Sequence, residues 1–306
     1  MTKEDIKIGS KTIKDFANFI NERHLIWMKR NQGLQKPWTD DPILQQYKFT
    51  NVFRQLDTGT IALQNMITNV NFTQDSWEFS DNQQKALIIF NIIWYRLFNR
   101  KEHAKNCGFV FDYEDLSQYI VLCNRKQERI FTDAYCTTAG GRNTLGIPKY
   151  KSYLKALKTL WDNKDKIKMI CESTNSLQYT AEYLRGYYLI GNFVAYEIVC
   201  DLRFTSLLEN AIDTLSWANL GPGAKRGLMW LGMPCKNQKE GLQSIKQLWI
   251  NLSDYLTEYI TKHYPDYNDN YPPFELREVE HSLCEADKYW RIESGIGRSR
   301  CRYNGI

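Results

Sequence analysis

Apolar positions return at helical spacing along most of this chain. Over residues 12–31, Ile13, Phe16, Phe19, Ile20, Leu25, Ile26 and Trp27 recur every three or four residues, the period of one helix face. Glu22, Arg23, His24 and Arg30 make the same segment dense in charge. After a loop over 37–42, residues 43–69 predict a second helix with Tyr47, Phe49, Val52, Phe53 and Leu56 mostly inward. Within 82–100, the run 86–95 is apolar on nearly all sides and predicts a central core helix, with Arg96, Asn99 and Arg100 at its polar end. Shorter helices are expected over 112–125 and 127–135, and a flexible loop over 137–143. Pro148 then opens a Lys-rich helix. Amphipathic helices follow over 243–263 and 274–291, separated by a surface loop at 264–273. No alternation is long enough to build a sheet, so the chain predicts an all-α fold.

The segment 183–227 is the most informative. Helical patterning breaks at Leu189-Ile190-Gly191-Asn192 and resumes over 193–202, as in a hairpin between two helices. Gly191 can take the positive φ of a tight turn. The second helix then starts with free backbone N–H groups, which suit a nucleic-acid phosphate. Leu189, Gly191 and Asn192 are therefore candidate DNA-binding residues. Gly221-Pro222-Gly223, followed by Lys225 and Arg226, also suits phosphate approach; an ordinary turn with two exposed cations is the alternative.

This hairpin resembles that of the helix-hairpin-helix DNA glycosylases, with Gly191 at the second glycine and Ala195 at the alanine; the first glycine and the proline are absent. Asp213, which is 213 − 191 = 22 positions after Gly191, stands at the distance of that superfamily's catalytic aspartate. Five ordered blocks, 37–44, 47–54, 96–99, 221–228 and 280–289, are similar to the α-glutamyl/putrescinyl thymine pyrophosphorylase family, whose members act on hypermodified pyrimidines in phage DNA. The resemblance implies a helix-hairpin-helix glycosylase-like fold with two helical lobes and a cleft between them. It is expected to form a single domain over 1–306, with its hairpin and catalytic segment at 183–227.

It also implies chemistry. A glycosylase flips the modified base out of the duplex and breaks its bond to the sugar through a cationic transition state that a carboxylate stabilises. Asp213 is the candidate carboxylate; capping a helix is its alternative role. Asn51, Arg54 and His281 are candidates for the base pocket, since Asn presents both a donor and an acceptor to a pyrimidine edge. No Lys follows Gly191, so the expected enzyme is monofunctional and leaves an abasic site, with anti-phage defence as its setting. The alternative is an amino-acid or polyamine transferase that displaces pyrophosphate from activated 5-hydroxymethyluracil. Arg142, Lys225 and Arg226 would then face the leaving group, and Glu285 or His281 would act as base. Glu285 is the second catalytic candidate. A third possibility is a DNA-binding module without catalysis.

Composition adds bounds. The chain has 306 residues and a net charge of +5, too mild alone to indicate nucleic acid. Its cations cluster, however, with seven Lys against two Asp over 148–168. Eight Cys occur without Cys-x-x-Cys spacing, so neither a zinc site nor an iron–sulfur cluster is expected, and no cofactor is implied. Scattered Cys and no signal peptide predict a cytoplasmic protein with reduced thiols. No apolar run is long enough to span a membrane. The expected partner is double-stranded DNA containing modified pyrimidines, with no obligate protein partner.

Overall fold

The computed structural model describes residues 6–72, 79–132, 146–263, 274–296 and 302. Among them are thirteen α-helices, one 3₁₀ turn and no strand; one isolated bridge pairs Tyr47 with Arg302. The all-α class stands. Contacts divide the chain into two compact units: Met1–Asp57 with Thr214–Ile306, and Thr58–Asp213.

In chain order, α1 (Ile13–Asn31) starts at a capping box in which Thr12 and Asp15 satisfy each other's backbone donors. Its buried stripe holds Phe16, Phe19 and Ile20, and continues through Arg23 and His24. The short α2 (Pro42–Gln46) is capped by Asp41. The single helix expected over 43–69 does not form. The chain leaves α2 extended, makes a 3₁₀ turn at Arg54–Leu56, and only then enters α3 (Thr58–Thr68). A side chain competes with the helix here: the Asp57 carboxylate accepts from the Asn51 N–H at 3.0 Å and from Arg54. Val52 and Phe53 are still buried, so the apolar signal was satisfied by an extended crossing.

α4 (Asp81–Phe98) is the predicted core helix. Its start is a Ser80–Gln83 capping box, and its end is Asn99 at φ 49°. Trp94 and Tyr95 are fully buried. Arg96, expected at a polar end, is buried too and forms a bidentate pair with Asp201. α5 (Lys101–Asn106) and α6 (Tyr113–Arg125) follow, the latter capped by Asp112. The helix expected over 127–135 is not present in its described part, where Gln127 takes φ 57°. The loop expected over 137–143, including Arg142, lies outside the described residues, as does the surface loop at 264–273.

The Lys-rich helix is two helices, α7 (Lys149–Asp162) and α8 (Lys164–Thr174), broken at Asn163. α9 (Leu177–Leu184) and α10 (Asn192–Leu202) form the hairpin. α11 (Pro222–Trp230), α12 (Gln238–His263) and α13 (Leu276–Glu293) complete the first unit with α1 and α2. α11 lies close against α13. A Cβ on Gly227 would stand 2.6 Å from the Leu283 carbonyl oxygen, and one on Gly223 would stand 2.9 Å from Cys284 Sγ. No described helix is long and apolar enough to cross a membrane.

Candidate functional site

In the unit Thr58–Asp213, the α9–α10 hairpin reverses differently from expectation. The positive φ falls on Leu189 at 69°, and Gly191 is the extended N-cap of α10 at φ −87°. A Cβ on Gly191 would meet nothing within 4 Å, so neither space nor conformation demands glycine there. No side chain caps α10, and Tyr188 and Phe193 are exposed beside its start.

Asp213 is buried, and its carboxylate is fully engaged. It accepts from Ser176 Oγ at 2.7 Å, the Leu177 N–H at 2.8 Å and the Gln178 N–H at 2.9 Å. These are donors at the start of α9, where a negative charge also meets the positive end of the helix dipole. The geometry is that of a capping residue.

In the other unit, the loop before α11 already holds an anion of its own. The Gly221 N–H donates to Glu280 Oε1 at 3.2 Å. Gly223 and Gly227 serve the approach of α11 to α13. Lys225 donates to the Lys236 carbonyl, and Arg226 pairs with buried Asp287 at 2.8 Å. The four residues expected to meet phosphate here thus have structural partners.

The same unit gathers buried charge along α13. Glu278, Glu280 and Asp287 are 0–3 % exposed. Each has partners: Glu278 has Arg277 and the Glu275 N–H, Glu280 the Gly221 N–H and the Cys284 thiol, and Asp287 Arg226, Arg291 and Trp230. Glu285 pairs with Lys288 at 3.2 Å, and His281 Nε2 lies 3.8 Å from Glu280 Oε2. Asn51 and Arg54 do not share a helix face. They are brought together instead by Asp57.

One buried charge is not compensated in this way. Arg23 is 4 % exposed and donates from Nη2 to Ser282 Oγ at 3.0 Å, but its Nε and Nη1 reach no acceptor. Burial lowers its pKa to about 10, while the carboxylates of Glu285 and Asp57 pull the other way and keep the guanidinium charged. Beside it, burial and the Arg23 charge hold His24 neutral, with a pKa of about 3. Arg23 lines a narrow cavity of about 20 Å³ with Trp27, Arg30, Tyr47, Phe49, Thr50 and Asn51. That is room for one or two waters, so what enters must be a single polar group or an edge. Asn51, also on this lining, donates through Nδ2 to the Leu56 carbonyl at 2.8 Å, and its Oδ1 remains as its acceptor. Two donors, one acceptor and aromatic walls match the edge of an oxo-pyrimidine.

Arg23 was seen in the sequence only as part of a charged run. Its position was informative: it lies four residues after Phe19, three after Ile20 and four before Trp27, on the apolar stripe of α1. An arginine on a core stripe must find a partner or await one.

The chain belongs to the family described as "5-hmdU DNA kinase, helical domain", whose model matches residues 10–297. It is 29 % identical over 295 residues to the "5-hmdU DNA kinase" of Bacillus phage SP10, a match covering 90 % of this chain and 44 % of that relative. The chain thus spans less than half the length of the curated relative it matches. No solved structure matches it. These findings correct the family assigned from the five sequence blocks: the matches are to a DNA kinase, not to a thymine pyrophosphorylase or a glycosylase. They likewise overturn monofunctional base excision and pyrophosphate displacement by an amine. The phage and modified-pyrimidine setting agrees with the relative's name.

Proposed function

We propose that this chain handles the DNA substrate in the phosphorylation of 5-hydroxymethyluracil, taking the modified base and holding its hydroxymethyl group for phosphoryl transfer. The match to the kinase helical domain over residues 10–297 carries this reading. In such a transfer the hydroxymethyl oxygen attacks the terminal phosphorus of a nucleoside triphosphate, the bond to the diphosphate breaks, and the hydroxyl proton passes to a base. The 306 residues contain no Gly-x-x-x-x-Gly-Lys-Ser/Thr loop, and the matched relative is longer, so we assign this chain to the DNA side of the reaction.

We place the base edge at Arg23. Its free donors suit an exocyclic oxygen of uracil, and Asn51 Oδ1 suits the ring N3–H. Cytosine would bring an amino donor where uracil brings an oxygen, so the same wall disfavours it. The uncapped start of α10, between exposed Tyr188 and Phe193, is where we place a backbone phosphate.

The test is equilibrium binding to duplexes of one sequence carrying a single 5-hydroxymethyluracil, thymine or 5-hydroxymethylcytosine. Tightest binding to the first is expected. Equal affinity for thymine and hydroxymethyluracil would remove the basis for substrate handling.

A further inference from the structure

A second cavity lies within the unit Thr58–Asp213, where α3 begins and α4 ends. It is open, holds about 400 Å³, and is lined by Thr58, Gly59, Asn99, Arg100, Lys101, Glu102, Arg129 and Thr132. Three cations and one acid give it a net charge of 3 − 1 = +2. The framework beneath is held together by Arg96. Its guanidinium pairs with Asp201 and reaches Thr60 Oγ1 at 3.1 Å on the first turn of α3 and Asn99 Oδ1 at 3.1 Å at the end of α4. Since Asp201 neutralises Arg96, the charge offered to a ligand comes from Arg100, Lys101 and Arg129. The Thr132 N–H donates to the Phe98 carbonyl at 3.0 Å, which occupies an acceptor at the end of α4 that would otherwise repel an anion. Arg100 is held by Glu102 at 3.2 Å through Nη2, but its buried Nε has no acceptor.

We propose that this cavity is a phosphate-binding site. Its donors are the Arg100 and Arg129 guanidiniums and Lys101, with the hydroxyls of Thr58 and Thr132 and the positive end of α3 beside them. Guanidiniums match phosphate oxygens in geometry as well as charge. The phosphate belongs either to a DNA strand or to a free nucleotide; the chemistry is common to both. The site stands on this unit's own geometry and does not depend on the base site at Arg23.

The test compares the full chain with Arg100→Gln/Arg129→Gln in two arms, a fluorescent oligonucleotide duplex and a nucleoside triphosphate. A control variant, Lys151→Gln/Lys155→Gln, removes the same charge from exposed positions of α7. Affinity in one arm should fall at least tenfold in the cavity variant and less than threefold in the control. The arm that falls names the source of the phosphate. If the Arg100 change lowers the melting temperature, Lys101→Gln/Arg129→Gln repeats the comparison at exposed positions only. No loss in either arm, an equal loss in the control, or no binding of either ligand by the unaltered chain overturns the proposal.

Discussion

Arg23 reaches Ser282 Oγ at 3.0 Å, and that bond leaves two of its nitrogens facing no acceptor although the residue is only 4 % exposed. Burying a guanidinium without full compensation costs stability. Arg23→Met keeps most of the side-chain volume and removes the charge. Its unfolding free energy in urea is expected to match that of the unaltered chain within about 1 kcal/mol or to exceed it. A loss of about 3 kcal/mol or more, the size seen when one partner of a buried pair is removed, would make Arg23 a structural residue.

Asp213→Ala should destabilise without repacking a core. It leaves the Ser176 hydroxyl and the N–H groups of Leu177 and Gln178 without their acceptor. A loss of about 2 kcal/mol is expected by denaturant titration. A change below about 0.5 kcal/mol would show that water replaces the carboxylate without penalty.

Gly227→Ala places a methyl group against the Leu283 carbonyl oxygen at 2.6 Å, a backbone atom that cannot swing aside. α11 and α13 must separate, and a cost of about 1–3 kcal/mol is expected. A melting temperature equal to that of the unaltered chain would contradict the close packing of these helices.

His24 sets a pH dependence. Its folded pKa is about 3, well below the ordinary 6.5. Below about pH 6.5 the unfolded chain takes up a proton that the folded chain refuses. The neutral-His contribution to stability is therefore full above pH 6.5 and declines as pH falls toward 3, at up to about 1.4 kcal/mol per pH unit. His24→Gln should flatten that slope between pH 6 and 4. An unchanged slope would assign it to other groups.

Much of the fold was legible. α1 and α4 combine helical periodicity with capping boxes at Thr12–Asp15 and Ser80–Gln83, so local and tertiary preferences agree. The stretch 43–69 was misread because Val52 and Phe53 are buried from an extended backbone, and periodicity does not register the Asp57 carboxylate that ties the turn. The hairpin at 184–192 was visible as a break, but Leu189 rather than the glycine carries the positive φ. The site was harder to see. Asn51 and Arg54 each bond to Asp57, the Asn51 backbone N–H and the Arg54 guanidinium reaching opposite oxygens of its carboxylate around a 3₁₀ turn. Arg23 shows in the sequence as a charge on an apolar stripe, but its lack of acceptors is a property of packing that no spacing of residues records. The glycines at 221–227 look like a phosphate loop in one dimension, while in three they serve contact with α13 and face Glu280.

The most direct test of the account compares the affinity ratio for 5-hydroxymethyluracil over 5-hydroxymethylcytosine duplexes in the unaltered chain and in Arg23→Met. The account predicts that the ratio collapses toward one in the variant, because affinity for the hydroxymethyluracil duplex falls to that for the hydroxymethylcytosine duplex. A ratio that survives the substitution would place recognition of the base elsewhere and contradict the assignment of this cavity.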